Sequence, residues 1–335
     1  MNYNFLTEIP NGFLNTKPEG MHSLLGGPTL IHLSGVKKDA LFISCLLHGN
    51  ETTSILVIQK LLSKYLSLGL PRDIILFIGN TMAAVKGMRH LPGQIDYNRI
   101  WEKGSTPEHA LSAKVMDYAK KQKIFASIDI HNNTGKNPNY GCINRMEPEF
   151  LNLASYFGSH TVFFTEPHNV QSMAFSQFCT SMTIEAGLSG SSAGIKAAFD
   201  LLEDLLVIEK LTANPERKNP DVFHTIARMM VHPEARINFE DIPSKEIDLS
   251  FVDTLDSNNF EVIPKNCHLG YGRNISFLRV ENNAGKDVTN DFFRIENDEL
   301  VTNCIFIPSM FTKDIYVMKE DCLGYVMEVM VATSA

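Results

Sequence analysis

The sequence predicts an α/β layer sandwich followed by a smaller, mostly β domain. Three observations predict it. Continuous apolar runs of strand length recur, helical stretches fall between them, and the texture changes beyond a polar, proline-containing stretch at residues 212–221. Residues 40–47 are one such run, as expected of a strand buried on both faces. Asn50 is placed to cap a helix through Leu66, with Ile55, Ile58, Leu62 and Leu66 on one face. Residues 74–79 read as the next strand. Thr106-Pro107-Glu108 is a helix start, with Thr as N-cap and Pro at the first position, and that helix runs to about Lys121. Residues 126–130, 141–144, 161–165 and 182–185 read as further strands, and a long helix follows from Ser191 to Leu211.

Residues 212–221 read as a linker, dividing the chain of 335 residues into domains of 1–215 and 216–335. Beyond it, short segments at 223–231, 260–263, 277–280, 300–307 and 315–318 are separated by Asn, Gly, Pro and Asp, the pattern of short strands and turns.

Composition excludes some classes. Net charge is −8 and no Lys/Arg cluster is dense enough to track a phosphate backbone, so nucleic acid is not an expected partner. The first residues lack a basic start followed by an apolar run, and no apolar stretch reaches the roughly 18–20 residues that span a bilayer. The six cysteines are scattered without a Cys-x-x-Cys pair, and Cys45 lies in an apolar run. A reducing cytoplasm is the expected setting; an exported chain with one or two disulfides is the alternative.

The sharpest local feature is His48-Gly49-Asn50-Glu51, directly after a buried strand and at a helix start. In an open α/β sheet, ligands bind beyond the carboxyl ends of strands. A His at the strand end and a Glu in the first helical turn can point at one site there, with Gly49 allowing a sharp turn between them. Two His and one Glu form a known catalytic zinc set. His131 closes another apolar strand, and Asp129 is placed to accept the other ring N–H of a ligand His. A lone His-x-x-Glu is a weak signal, and a His closing a strand is also what a solvent boundary produces.

A third strand end finishes in Glu185. A partly buried carboxylate there suits proton transfer, and a helix cap or a surface ion pair is the plainer alternative. Between the His strands lie Asn80, Arg89 and the run Asp96-Tyr97-Asn98-Arg99-Ile100-Trp101. Arginines in such a loop can hold a carboxylate bidentately or stabilise an oxyanion, although solvated loops carry arginines too.

Together these segments resemble the succinylglutamate desuccinylase/aspartoacylase family within the zinc carboxypeptidase superfamily. The ordered set is His48-Gly49-Asn50-Glu51, a strand ending in Asn80, Arg89, the Asp96–Trp101 run, Asp129-Ile130-His131-Asn132-Asn133, and Ile184-Glu185-Ala186-Gly187. It covers roughly residues 40–195, and it is the order that is specific, not any member alone. The resemblance implies an α/β/α sandwich with a mixed sheet, like the phosphorylase/hydrolase fold, with a C-terminal β domain. It implies one Zn2+ per chain on His48, Glu51 and His131, Arg89 as polariser of the scissile carbonyl, and Asn98 with Arg99 as grip on a substrate carboxylate. Glu185 is implied as the base that activates water. The expected partner is a small carboxylate-bearing substrate, and self-association is compatible with it.

The match departs in the substrate wall. No Lys or Arg occurs from Leu151 to Met182. The substrate-binding Arg of the aspartoacylase branch falls here on Phe175, and its Tyr before a Pro falls on Ile307. N-acetylaspartate is therefore a poor candidate. Met173, Phe175 and Phe178 suggest an apolar pocket unless they are core, and Arg145 and His168 are replacement contacts to check. The expected activity is hydrolysis of an amide bond in an N-acyl amino acid. The alternatives are a metallocarboxypeptidase acting on a short peptide and a non-catalytic metal-binding protein.

Overall fold

The computed structural model describes residues 2–212 and 220–330. They fall into two compact units, Met1–Asn132 with Asn139–Pro220, and Asn133–Pro138 with Asp221–Ala335. The expected linker lies mostly on residues 213–219, outside the described residues.

The first unit holds β1 (Asn4–Leu6), β2 (Thr29–Leu33), β3 (Lys37–Cys45), β4 (Arg72–Ile78), β5 (Ile124–Asn133), β6 (Asn139–Ile143), β7 (His160–Phe163) and β8 (Ser181–Leu188). They lie in the order β1-β2-β4-β3-β5-β8-β6-β7. β3 runs parallel to β4 and β5, whereas β2 is antiparallel to β4 and β6 to β8, so the sheet is mixed. The helices are α1 (Met21–Leu25), α2 (Thr53–Leu68), α3 (Thr81–Lys86), α4 (Pro107–Ala119), α5 (Pro148–Ser155), α6 (Gln171–Phe175) and α7 (Ser192–Val207).

Strand alternation sorts side chains to two faces. Leu41, Ile43, Ile128, Ile130, Ile184 and Ala186 pack with Ile55, Ile58 and Leu62 of α2 and Ala198 and Leu202 of α7. Ala40 and Phe42 face the other way, against Leu111 and Val115 of α4 and Phe175 of α6. Both faces are thus covered by helices, which is the expected α/β/α layering. Each fully buried Leu, Ile or Phe contributes about 1.5–3 kcal/mol. The alternation also fixes chemistry. Ser44, Asp129, His131 and Glu185 occupy the positions that face α4 and α6.

Three local outcomes differ from expectation. α2 begins at Thr53, after Thr52 at the cap position, so Asn50 is no cap and Glu51 precedes the helix. Leu46 takes a left-handed φ of 51°, which bends the chain out of β3 and uses residues 46–52 before a helix can start. Gly49 is demanded by a close approach: a Cβ there would sit 2.2 Å from the Ala83 carbonyl carbon and 2.3 Å from the Ala84 nitrogen. α7 stops at Val207, where the fully buried Arg72 donates to the carbonyls of Leu205 (3.1 Å) and Ile208 (2.6 Å) and satisfies the helix end.

The second unit has β9 (Asp221–Val231), β10 (Ile237–Asn238), β11 (Leu249–Phe251), β12 (His268–Gly272), β13 (Leu278–Asn282), β14 (Phe293–Glu296), β15 (Glu299–Thr302), β16 (Ile307–Ser309) and β17 (Gly324–Met330), with α8 (Thr289–Phe292) and α9 (Ile315–Glu320). β9 pairs antiparallel with β13 and β17, and β16 with β17. β10-β11-β12-β15-β14 form a second sheet. Residues 260–263 are not a strand, because Phe260 has φ 63° and Pro264 follows; a lone bridge from Ile263 to Phe306 remains. Residues 315–318 are helical, with Asp314 accepting from Tyr316 and Val317 N–H. No helix among the described residues is long and apolar enough to cross a membrane, and all six cysteines are free.

Candidate metal centre

The turn between β3 and α2, which carries His48 and Glu51, and the end of β5, which carries His131, bring the three together, each buried, with one donor atom from each within 4.8 Å of the others. Glu51 Oε1 lies 2.7 Å from His48 Nδ1, Glu51 Oε2 lies 2.7 Å from His131 Nδ1, and the two Nδ1 atoms are 3.1 Å apart. The outer nitrogens are committed elsewhere. His131 Nε2 is 2.8 Å from Asp129 Oδ2, and His48 Nε2 is 3.0 Å from Asp96 Oδ1. With those outer nitrogens donating N–H to carboxylates, both Nδ1 atoms present lone pairs to one point. Two imidazole lone pairs 3.1 Å apart repel unless a proton or a cation lies between them. The donor set and its orientation therefore fit a divalent cation such as zinc.

Asp129 is fully buried and also accepts from Ser44 Oγ at 2.6 Å. Asn132 ties three segments. Its N–H donates to Glu51 Oε2 (3.1 Å), its Oδ1 accepts from Thr53 N–H (3.3 Å), and its Nδ2 donates to the Ala186 and Gly187 carbonyls. Gly49 N–H donates to the Arg89 carbonyl at 3.1 Å.

The arginine loop is held from α3. Asn80 caps α3 by accepting from Ala83 N–H, and its Nδ2 donates to Gln94 Oε1 at 2.8 Å. Asp96 Oδ2 then accepts from Arg89 Nε at 3.0 Å and Nη2 at 2.9 Å, while Arg89 Nη1 stands 3.9 Å from Glu51. Asn98 Oδ1 accepts from Gln171 N–H at 3.0 Å, leaving its Nδ2 3.3 Å from His131 Nε2. Arg99 Nη1 donates to the Asn98 carbonyl at 2.9 Å.

Charge is balanced within the cluster. Burial raises the Glu51 carboxyl, yet His48 and His131 outweigh it and hold it low. Burial lowers His131, but Asp129 and Glu51 outweigh it and its pKa ends well above 6.5. For His48, burial and Arg89 push down while Asp96 and Glu51 push up, and the net is a rise. Burial also raises Asp96, but Arg89 and His48 hold it well below 3.8. Glu185 is the exception: burial dominates and lifts its carboxyl to about 8. Its Oε2 has no hydrogen-bond partner, although its charge interacts with His131, Glu51, His48 and Arg89.

His48, Glu51, His131, Arg89, Asn98 and Glu185 thus lie in one charged neighbourhood, and Arg99 acts electrostatically on Asp96 beside them. Among the supports, Asp96 and Asn132, inside quoted motifs, and Ser44 carry no assigned role in the sequence reading. The signal for Ser44 is a polar residue in an apolar strand, on the same alternation as Asp129. Of the two readings of the apolar residues, the core reading holds for Phe175. It is fully buried, 4.4 Å from Phe42 and 5.1 Å from Phe178 between ring centroids, and belongs to the core. Arg145 pairs with Glu147, and His168, 64% exposed, pairs with Glu102 and Glu166.

Residues 37–194 match the family model described as succinylglutamate desuccinylase/aspartoacylase catalytic domain. No curated protein matches the chain in sequence. Among solved structures, succinylglutamate desuccinylase from Chromobacterium violaceum is similar at 18% identity and TM-score 0.55, covering 89% of this chain and 86% of that one. A succinylglutamate desuccinylase/aspartoacylase from Rhodobacter sphaeroides is similar at 13% identity and TM-score 0.59, covering 89% and 88%. Murine aminoacylase 3 is similar at 14% identity and TM-score 0.53, covering 89% and 97%. At these identities the likeness shows a shared fold, and the matched segment contains every residue of the cluster. Residues 37–194 of the chain are thus similar to the catalytic domain of the succinylglutamate desuccinylase/aspartoacylase family.

Proposed function

We propose that the chain is a zinc-dependent hydrolase that cleaves an amide bond in a small carboxylate-bearing substrate such as an N-acyl amino acid. The observation that carries this reading is the convergence of two inward Nδ1 atoms and one carboxylate beside a buried Glu185 whose Oε2 has no hydrogen-bond partner. In this reading residues 1–215 are the hydrolytic part and residues 216–335 an accessory β domain. The free cysteines support a reducing, cytoplasmic setting.

His48, Glu51 and His131 hold the metal, which when bound supplies Lewis acidity toward the carbonyl and lowers the pKa of a bound water. Glu185 takes the proton of the attacking water and returns it to the leaving amine. A carboxyl lifted to about 8 is suited to both acts near neutral pH. Arg89, held by Asp96, presents its charge where negative charge gathers on the carbonyl oxygen. Arg99, with the Asn98 amide nitrogen, binds the substrate carboxylate. The burial of Phe175, and the engagement of Arg145 with Glu147 and His168 with Glu102 and Glu166, support a site without the extra cation that an acidic side chain requires.

The test is zinc-loaded protein assayed against N-acyl amino acids and dipeptides. Glu185→Gln is expected to keep its zinc and lose on the order of 10²–10⁴ in rate. Full activity in that variant removes Glu185 from its role. Turnover of dipeptides alone selects the carboxypeptidase alternative, and turnover of neither panel with zinc bound selects a non-catalytic protein.

A further inference from the structure

We propose that Tyr140 is a positioning residue whose ring packs across the strands against Glu185 and fixes the direction of its carboxyl. The inference rests on the reading of Glu185 as the base. β6 runs antiparallel to β8, with Tyr140 directly opposite Glu185 and Cys142 opposite Thr183. Residues opposed in an antiparallel pair share a face and hold their Cβ atoms about 4.5–5.5 Å apart. Two observations identify the face. A Cβ at Gly141 would lie 2.5 Å from Met182 Sδ and 3.8 Å from the Ala154 methyl of α5, so the residue between Tyr140 and Cys142 points to the α5 side. Cys142, on the opposite side from Gly141, has its thiol raised by burial and then by the Glu185 charge. Tyr140 and Glu185 are therefore neighbours on the face that carries Asp129 and His131, and both are buried, Tyr140 with 1% exposure. A carboxylate is ordinarily aimed by the donors it accepts from, and Glu185 Oε2 accepts from none. A stiff ring beside the Glu185 stem limits the rotations that this missing donor leaves open, and it keeps water off that flank. Misplacing a reacting group by about 1 Å can cost about 10²-fold in rate.

The test is a double-mutant cycle on zinc-loaded protein with the N-acyl amino acid panel. Tyr140→Leu is expected to lower kcat about 10–100-fold with KM within about threefold of wild type. Tyr140→Phe, which keeps the ring, is expected to hold kcat within about threefold. In a Glu185→Gln background Tyr140→Leu is expected to change kcat by less than about twofold, because the group it positions is already gone. Zinc affinity, read by competition with a chromophoric chelator, is expected to be unchanged in every variant. Wild-type kcat in Tyr140→Leu, an equal loss in Tyr140→Phe, or an undiminished further loss in the Glu185→Gln background overturns the proposal. Thermal unfolding shows which variants fold, and Tyr140→Ile carries the same expectation where Tyr140→Leu does not. Failure of both to fold beside a folded Tyr140→Phe makes Tyr140 a core residue and overturns the proposal as well. Full activity in Glu185→Gln alone overturns the reading of the base itself, a result distinct from any Tyr140 outcome.

Discussion

The two imidazoles at the centre are held in different ways. His131 is backed by Asp129, a carboxylate without exposed surface whose second oxygen binds Ser44 inside the sheet. His48 is backed by Asp96, whose side chain is 14% exposed and whose second oxygen binds Arg89. One anchor ends in the core and the other in a charged group facing the site. The difference teaches that the same carboxylate–imidazole pair can serve rigidity in one place and communication in another, depending on what its far oxygen touches.

The largest test of that contrast is Asp129→Ala. It strands a buried imidazole and a buried hydroxyl, and is expected to cost about 3–5 kcal/mol of folding stability. Asp96→Ala should cost less, because water can reach that site and replace the lost acceptor. Urea unfolding of both metal-free variants checks this, and equal losses would erase the distinction between the anchors.

A titration sharpens it next. In the metal-free protein His131 is raised well above 6.5 while Arg89 opposes the rise at His48, so His131 should release its proton at the higher pH. NMR of the histidine ring protons reads the order directly. Stability follows the same signs. Glu51 and Asp96 are held below 4.5 and 3.8, so their contribution is present above those values and is lost as pH falls. The histidines and Glu185 are raised, so theirs is complete below 6.5 and 4.5 and is lost as pH rises, for Glu185 through about 8. Metal-free protein should therefore weaken below about pH 4.5 as Glu51 and Asp96 protonate, lose the Glu185 contribution as pH rises from about 4.5 to about 8, and lose the histidine contributions above about 6.5. Zinc should remove much of the alkaline loss by replacing the shared protons. Urea midpoints in the presence of a chelator, and then of zinc, test both branches. The smallest effect is expected for Ser44→Ala, about 1 kcal/mol. A loss near zero would mean that Asp129 needs no second donor.

Much of the first unit was legible because its signals are local. Thr106 and Pro107 start α4 as read, with the Thr106 side chain accepting from His109 N–H. Strand alternation in β5 already placed Asp129 and His131 on one face. What escaped depended on distant partners. Nothing near Asp96 in sequence announces His48, and nothing near Ser44 announces Asp129. Gly49 was read as a turn residue, whereas its constraint comes from α3. In the second unit, residues 315–318 carry β-branched and apolar types, yet Asp314 caps them into a helix. Residues 300–307 read as one strand but supply β15 and β16 to different sheets, because Asn303 and Cys304 lie between them. The segment Asn133–Pro138 groups with residues more than a hundred positions later, through Asn259 to the Lys136 carbonyl and Asn137 to Met310 N–H. No periodicity reports that.

Gly49 packs against the Ala83–Ala84 peptide and the Ala83 methyl of α3, and its own N–H reaches the Arg89 carbonyl. The spacing between the first metal ligands and the arginine loop is therefore gauged by main chain against main chain. Position 49 is where a single added methyl would act as a wedge, prising the cation-holding turn away from the loop that carries the guanidinium.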